Sequence, residues 1–328
     1  MHLINLFILL SCIGQSIWPV MLALTSLPPA LRMNVSNLIL AGIWLGPVKP
    51  KLEMILQPVL EKLKVYGTKG IAISTNGIDK VIKVKLILCV FDLVARPLAT
   101  NTLQFNGYFG CLYCLHEGVY EFKRMLFPPL QDYIKRCKED MESWATLAER
   151  LGKPMYGVKG HSVLSLYIDI VRDIPIDYMH MILEGISKML LKYWSDGSFK
   201  DRHFYIGKEI DKLDKMLLRI KPPHSFRRSP RSLKVSSTFW KASEHRAWLL
   251  YYAIPLLMHI LPPDYVIHLS LLITSLHILL GTCIRKEDIT KCRELLKTFH
   301  ELLPELYPKT LCTANFHMLA HLCDCCRR

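Results

Sequence analysis

This sequence predicts an α+β fold in which a small α/β part is followed by a longer helical part. Three observations support it: short β-branched and aliphatic runs punctuated by Pro and Gly over residues 1–100, helical periodicity from about residue 120 onward, and a strand of mixed character between them that ends at an acid. The first part is read from three strands, at residues 16–24, 37–44 and 80–91, with the Pro28-Pro29 turn between the first two. Between the second and third, Leu52, Ile55, Leu56, Val59, Leu60 and Leu63 recur at helical spacing, with Pro58 as a kink and Gly67 as a stop. The last strand alternates at first and then becomes continuously apolar from Leu86 to Phe91, as a strand entering the middle of a sheet does, before ending at Asp92. Helices are expected at residues 131–151, 177–194, 208–219, 244–261, 265–280 and 287–303, the last closed by Pro304. Two domains follow, residues 1–118 and residues 119–328.

Hydrophobic residues make up 51% of the 328 and charged residues 21%, which excludes a disordered or low-complexity chain. Lys and Arg number 42 against 28 for Asp and Glu, and the resulting +14 favours a polyanionic partner, nucleic acid before an acidic membrane. A small acidic substrate does not need so much charge, so no small-molecule substrate is expected. The 11 cysteines are odd in number and scattered through a chain too long to need a disulfide framework, so they read as thiols or metal ligands in a reducing compartment. Residues 3–13 form an apolar run of signal-peptide length, which leaves a secreted or membrane-anchored protein using residues 1–14 as an alternative. The first basic residue, however, is Arg32, and the same run reads equally as a buried strand. Two later apolar runs, 248–261 and 269–280, fall short of the ~20 residues of a spanning helix and are expected to be buried helices.

Four groups of residues carry chemistry. Asp92 stands at the end of a central strand, a place that suits a divalent-metal carboxylate, although an Asp in a turn after a strand is also an ordinary cap. Cys111 and Cys114 have the spacing of half a tetrahedral metal site, with His116 as a spare ligand, and His317 and His321 stand four apart on one helix face, the spacing of the other half. Together they make a Cys2His2 set for Zn2+; apart, they are two buried pairs. Asp177 and His180 sit at a helix start, where an N-cap and an inward-facing His are the plain reading, and Glu184 continues that face. Residues 215–246 hold nine Lys or Arg and one acid, Glu244, or +8 of the net +14. Within that window Arg227, Arg228, Arg231 and Lys234 are the candidate DNA contacts, since guanidinium forks beside hydroxyls suit phosphates.

A family resemblance rests on motifs spread over nearly the whole chain: Ser16-Ile17-Trp18-Pro19, Leu27-Pro28-Pro29, residues 37–44 with Lys49-Pro50, Asn106 to Cys114, Gly157-Val158-Lys159-Gly160, Asp177-Tyr178-Met179-His180, Trp240-Lys241-Ala242-Ser243-Glu244 and His317 to His321. In this order they resemble the transposase of CACTA (En/Spm-like) DNA transposons. The resemblance implies an RNase H-like core whose Asp, Asp, Glu site holds two Mg2+ or Mn2+ ions for DNA cleavage and strand transfer, interrupted by a mainly helical insertion. It further implies zinc ligation by Cys111, Cys114, His317 and His321, the second catalytic Asp at Asp92, and the family's Asp-x-x-His at Asp177 and His180. The implied partners are DNA and further copies of the chain, and the implied location is the nucleus. Two departures matter. No Asp precedes Asp79, where the family keeps its first carboxylate, and the family's Glu lies beyond the His pair, whereas the sequence ends at Arg328. The expectation is therefore a chain truncated at both ends, a decayed or domesticated form, with Asp92 as a catalytic remnant. Bridging carboxylates hold paired cations ~4 Å apart in such sites, and one Asp does not suffice.

Overall fold

The computed structural model describes residues 2–8, 11–13, 15–226 and 228–326. By their internal packing they form two units, Met1–Gly118 with Tyr133–Asp177, and Val119–Asp132 with Tyr178–Arg328.

The first unit is built on one sheet. Strands β1 (His2–Ile8), β2 (Ser11–Ile13), β3 (Gln15–Leu24) and β4 (Leu38–Gly46) run first. β3 is antiparallel to β4 over most of its length, and on its other edge it pairs with β1 through Val20–Leu24 and with β2 through Gln15–Ile17. The hairpin β5 (Ile71–Thr75) and β6 (Ile78–Ile82) follows, and then β7 (Val84–Val90), which is parallel to β1. A parallel pair needs a crossover, and the helix Leu52–Thr68 supplies it. Its Leu52, Leu56, Leu60 and Leu63 are buried in one line, each contributing roughly 1.5–3 kcal/mol of apolar burial, and a Cβ on Gly42 of β4 would stand 3.4 Å from the Ile55 side chain. Pro58 lies inside this helix, which continues to Thr68.

Three expectations change. The expected strand 80–91 is two strands, because β6 turns away into a hairpin closed by Asn76 and Gly77, both with positive φ. The helix expected from residue 131 begins at Lys138, capped by the Cys137 thiol, which accepts from the Asp140 N–H. Pro304 does not end the last long helix, which runs Lys286–Leu306. A proline so near the C-terminus forfeits one backbone bond, and burial of Leu303 and Tyr307 holds the final turn.

The second unit is helical apart from the short hairpin β8 (Val119–Glu121) and β9 (Arg124–Leu126). Its helices include Lys188–Ser195, Ile210–Leu218, Pro263–Leu279 and Lys286–Leu306. Met179–Ser187, which holds the end of the Asp177–His180 motif, and Trp248–Tyr252 are wound more loosely, with i→i+5 bonding. The apolar run 248–261 is helical through Leu257 and the run 269–280 through Leu279, each with both buried and exposed positions, and among the described residues no helix is long and apolar enough to cross a membrane. Its core is aromatic: Phe299 stacks on His268 at 4.0 Å and on Phe316 at 6.3 Å, and the Trp194 indole N–H donates to the Tyr307 hydroxyl at 3.2 Å.

Burial lowers the imidazoles of His268 and His245 to about 4 from the ordinary 6.5. Both are neutral in the fold above about pH 4, whereas the unfolded chain takes up their protons near 6.5. Acidification between those values therefore favours unfolding, by about 3 kcal/mol for His268 once the loss is complete below pH 4. The melting temperature should fall over this window, and less steeply in His268→Gln; equal slopes in the two proteins would contradict this origin.

Candidate functional site

The turn that carries the Cys pair is shaped by close backbone approach. Phe109 has φ of +55°, and a Cβ on Gly110 would stand 2.4 Å from the Gln104 carbonyl oxygen. Gly157, at φ +81°, lies so near Phe109 that a Cβ there would meet its carbonyl oxygen at 2.3 Å, which brings the Gly157-Val158-Lys159-Gly160 motif against the Asn106–Cys114 motif at that residue. Cys111 and Cys114 follow, both buried, with their sulfurs within 4.8 Å of one another. The Tyr113 N–H donates to the Cys111 Sγ at 3.4 Å. Tyr113 is itself anchored, donating its hydroxyl hydrogen to the Ile174 carbonyl at 2.8 Å and accepting from Arg96 at 3.4 Å.

Arg136 locks this turn. Its Nε donates to the carbonyls of Cys111 and Cys114, both at 3.0 Å, its Nη2 donates to Phe109 at 3.0 Å, and its guanidinium lies over the Trp144 ring at 5.4 Å. The side chain is 5% exposed, and burial lowers its pKa against the raising influence of Cys111 and Cys114. The Cys114 thiol is pushed far up by its hydrogen bond with Cys111 and then by burial. Two such thiols ionise together only when a cation neutralises them. Sequence reasoning missed Arg136, because nothing local distinguishes one arginine among many; the carbonyls it binds lie more than 20 positions away.

The His pair belongs to the second unit. His317 closes the helix Ala314–His317, His321 lies in Leu319–Leu322, and both are buried. Their Nε2 atoms stand 3.3 Å apart. Two nitrogens each ~2.0–2.1 Å from one tetrahedral ion are separated by ~3.3–3.4 Å, so the spacing suits a shared metal. Phe127 stacks on His317 with centroids 5.2 Å apart, and the His300 ring stands 6.2 Å from it. The spare candidate His116 is buried in the first unit, where its Nδ1 accepts from the Gly118 N–H at 2.9 Å.

Asp92 lies just past β7, buried, with Oδ1 accepting from the N–H groups of Val94 (2.8 Å) and Ala95 (2.6 Å) at the start of the helix Ala95–Thr100. One carboxylate oxygen thus serves as a helix cap. Asp177 and His180 flank the start of the loosely wound Met179–Ser187, both partly buried.

Arg227 lies outside the described residues. Arg228 is exposed, whereas Arg231 is bound by Glu244 through both Nε and Nη2, and by the Phe239 carbonyl at 2.9 Å. Burial pushes Glu244 up, but the hydrogen bond from Arg231, the Lys241 N–H and the nearby arginines bring it below the usual carboxylate value. Lys234 pairs with Asp211 at 2.7 Å. Of the four candidate DNA contacts, Arg231 is therefore engaged by a buried partner and Lys234 by an exposed one.

Residues 3–126 match the family described as Transposase family tnp2, so this part of the chain is similar to transposases. No curated protein matches the chain.

Arg136→Met should leave three buried carbonyls short of a donor, at about 1–3 kcal/mol for each orphaned group. We expect a lower melting temperature and faster native-state alkylation of Cys111 and Cys114, read by peptide mass spectrometry. Unchanged stability and labelling would remove Arg136 from this role.

Proposed function

We propose that the chain is a transposase-derived, DNA-associated protein of the CACTA (En/Spm-like) type whose Cys111, Cys114, His317 and His321 hold one structural Zn2+. The observation that carries the reading is the match of residues 3–126 to a transposase family. Motif order along the rest of the chain supports the CACTA assignment. The sheet order β4-β3-β1-β7, with a crossover helix ahead of β7 and an acid at its end, supports an RNase H-like core. Pairing of β1 and β2 with β3 supports placing the apolar N-terminal run in that sheet rather than in a signal segment.

The donor set fits zinc, with two adjacent buried thiols in one turn and two imidazoles at the spacing of tetrahedral ligands. Bound there, Zn2+ supplies charge to stabilise both thiolates and joins residues far apart in sequence. Arg136 fixes the carbonyls of the Cys turn, Phe127 fixes the ring plane of His317, and neither needs to touch the ion. DNA is the partner and the nucleus the location that this reading requires, with the net charge of +14 supporting the first.

Native mass spectrometry should show one zinc per chain, lost in Cys111→Ser/His321→Ala; metal retained in full by that variant would sink the ligand assignment.

The ancestral reaction is metal-dependent DNA cleavage and strand transfer, and these 328 residues are proposed not to perform it. Asp92 spends one oxygen on a helix cap, and no Asp precedes Asp79 to share a cation with it. Mg2+ gives up its waters reluctantly, so a lone carboxylate holds it weakly. Incubation with transposon-end DNA and Mg2+ or Mn2+ should yield no cut or joined product. Activity that vanishes in Asp92→Ala would show the site to be complete.

A further inference from the structure

The basic window is sorted by charge. Two acids in and beside it are spent on the loop: Asp214 accepts from the Ser232 hydroxyl (2.7 Å) and the Leu233 N–H (2.6 Å), and Glu244 binds Arg231 and caps the following helix through the Lys241 N–H at 2.8 Å, while Asp211 pairs with Lys234 on the surface. These bonds fasten the loop 231–234 to the helix Ile210–Leu218 and to the helix Ala242–Ala247.

Four cations at the start of this region fall on one face. Lys212, Lys215 and Arg219 stand at i, i+3 and i+7, so they share a side of the helix Ile210–Leu218 and its C-cap, and Lys208 extends that side by a turn. Leu213 and Leu217, both buried, occupy roughly the opposite side. Lys208, Lys215, Arg219, Lys221 and Arg228 are exposed and make no ion pair among the described residues. Lys212 reaches Glu209 at 3.7 Å with both side chains about half exposed, a pairing too weak to compete with a phosphate.

We infer that this outer face, Lys208, Lys212, Lys215 and Arg219, is the surface that lies along the phosphate backbone of duplex DNA, and that Arg231 instead holds the loop in place. The inference rests on the DNA-binding reading above. Three cations on one helix face span about 10 Å of axis, and a DNA strand presents a phosphate every ~3.4 Å of its own axis, so all three can meet one run of backbone. An acidic membrane is the poorer fit, because the apolar side of this helix is consumed in the core and leaves nothing to insert among acyl chains. Backbone contacts of this kind carry no base sequence, so binding is sequence-tolerant.

The test uses the full chain and a short fluorescent duplex, with affinity measured over a KCl series. Lys212→Ala/Lys215→Ala/Arg219→Ala should flatten the slope of log affinity against log salt by about two to three units, at ~0.9 per phosphate contact. Alanine suits exposed helix positions, so the variant should fold, as its melting temperature will report. Lys286→Ala/Lys291→Ala/Lys297→Ala removes the same charge from the helix Lys286–Leu306 and should change the slope by less than about one unit. Arg231→Ala should lower the melting temperature and leave the slope unchanged. Equal slope changes in the two triple variants, or none in the first, overturn the assignment of this face while duplex binding itself stands. A wild-type chain that does not bind duplex overturns the DNA reading and this inference with it.

Discussion

Two buried thiols that hydrogen-bond to one another set the terms for the rest of the proposed site. Cys111 and Cys114 have lost water, and each raises the cost of ionising the other. Such a pair is stable as neutral thiols or as thiolates around a cation. The turn does not arrange itself for this; Gly110 and Gly157 allow the backbones to meet, and Arg136 ties three carbonyls into one geometry. The same requirement appears at His317 and His321, whose facing Nε2 atoms need a proton or a metal between them. In the proposed reading one ion answers both needs.

The helical unit treats charge in a comparable way. Asp214 and Glu244 are spent on internal bonds and Asp211 on the exposed Lys234, while Lys212, Lys215 and Arg219 share one side of the helix Ile210–Leu218 and its C-cap. Concentrated charge of one sign disfavours the folded state by self-repulsion. Its persistence on one helix face is economical only where an anion is met.

What the sequence made legible was local. Cys spacing, His spacing at i and i+4, the apolar line of Leu52 to Leu63 and the strand ending at Asp92 each sit within a few residues of their own signal. What it hid was pairing at a distance. Arg231 and Lys234 read as free cations until Glu244 and Asp211 came to meet them, and Arg136 had no signal at all. The β5–β6 hairpin is a different case: Asn76-Gly77 is a strong two-residue turn signal, while residues 80–91 read as one strand because the break between β6 and β7 falls at Lys83, where the alternating pattern continues unbroken. Pro304 shows the limit of a stop signal, since tertiary burial of Leu303 and Tyr307 carries the helix past it.

X-ray absorption at the zinc edge on the purified full chain tests the central claim most directly, because it reports which atoms surround the ion. The account predicts a first shell of two sulfurs at ~2.3 Å and two nitrogens at ~2.0–2.1 Å in tetrahedral geometry. A shell of four sulfurs, or of nitrogen and oxygen alone, would contradict it.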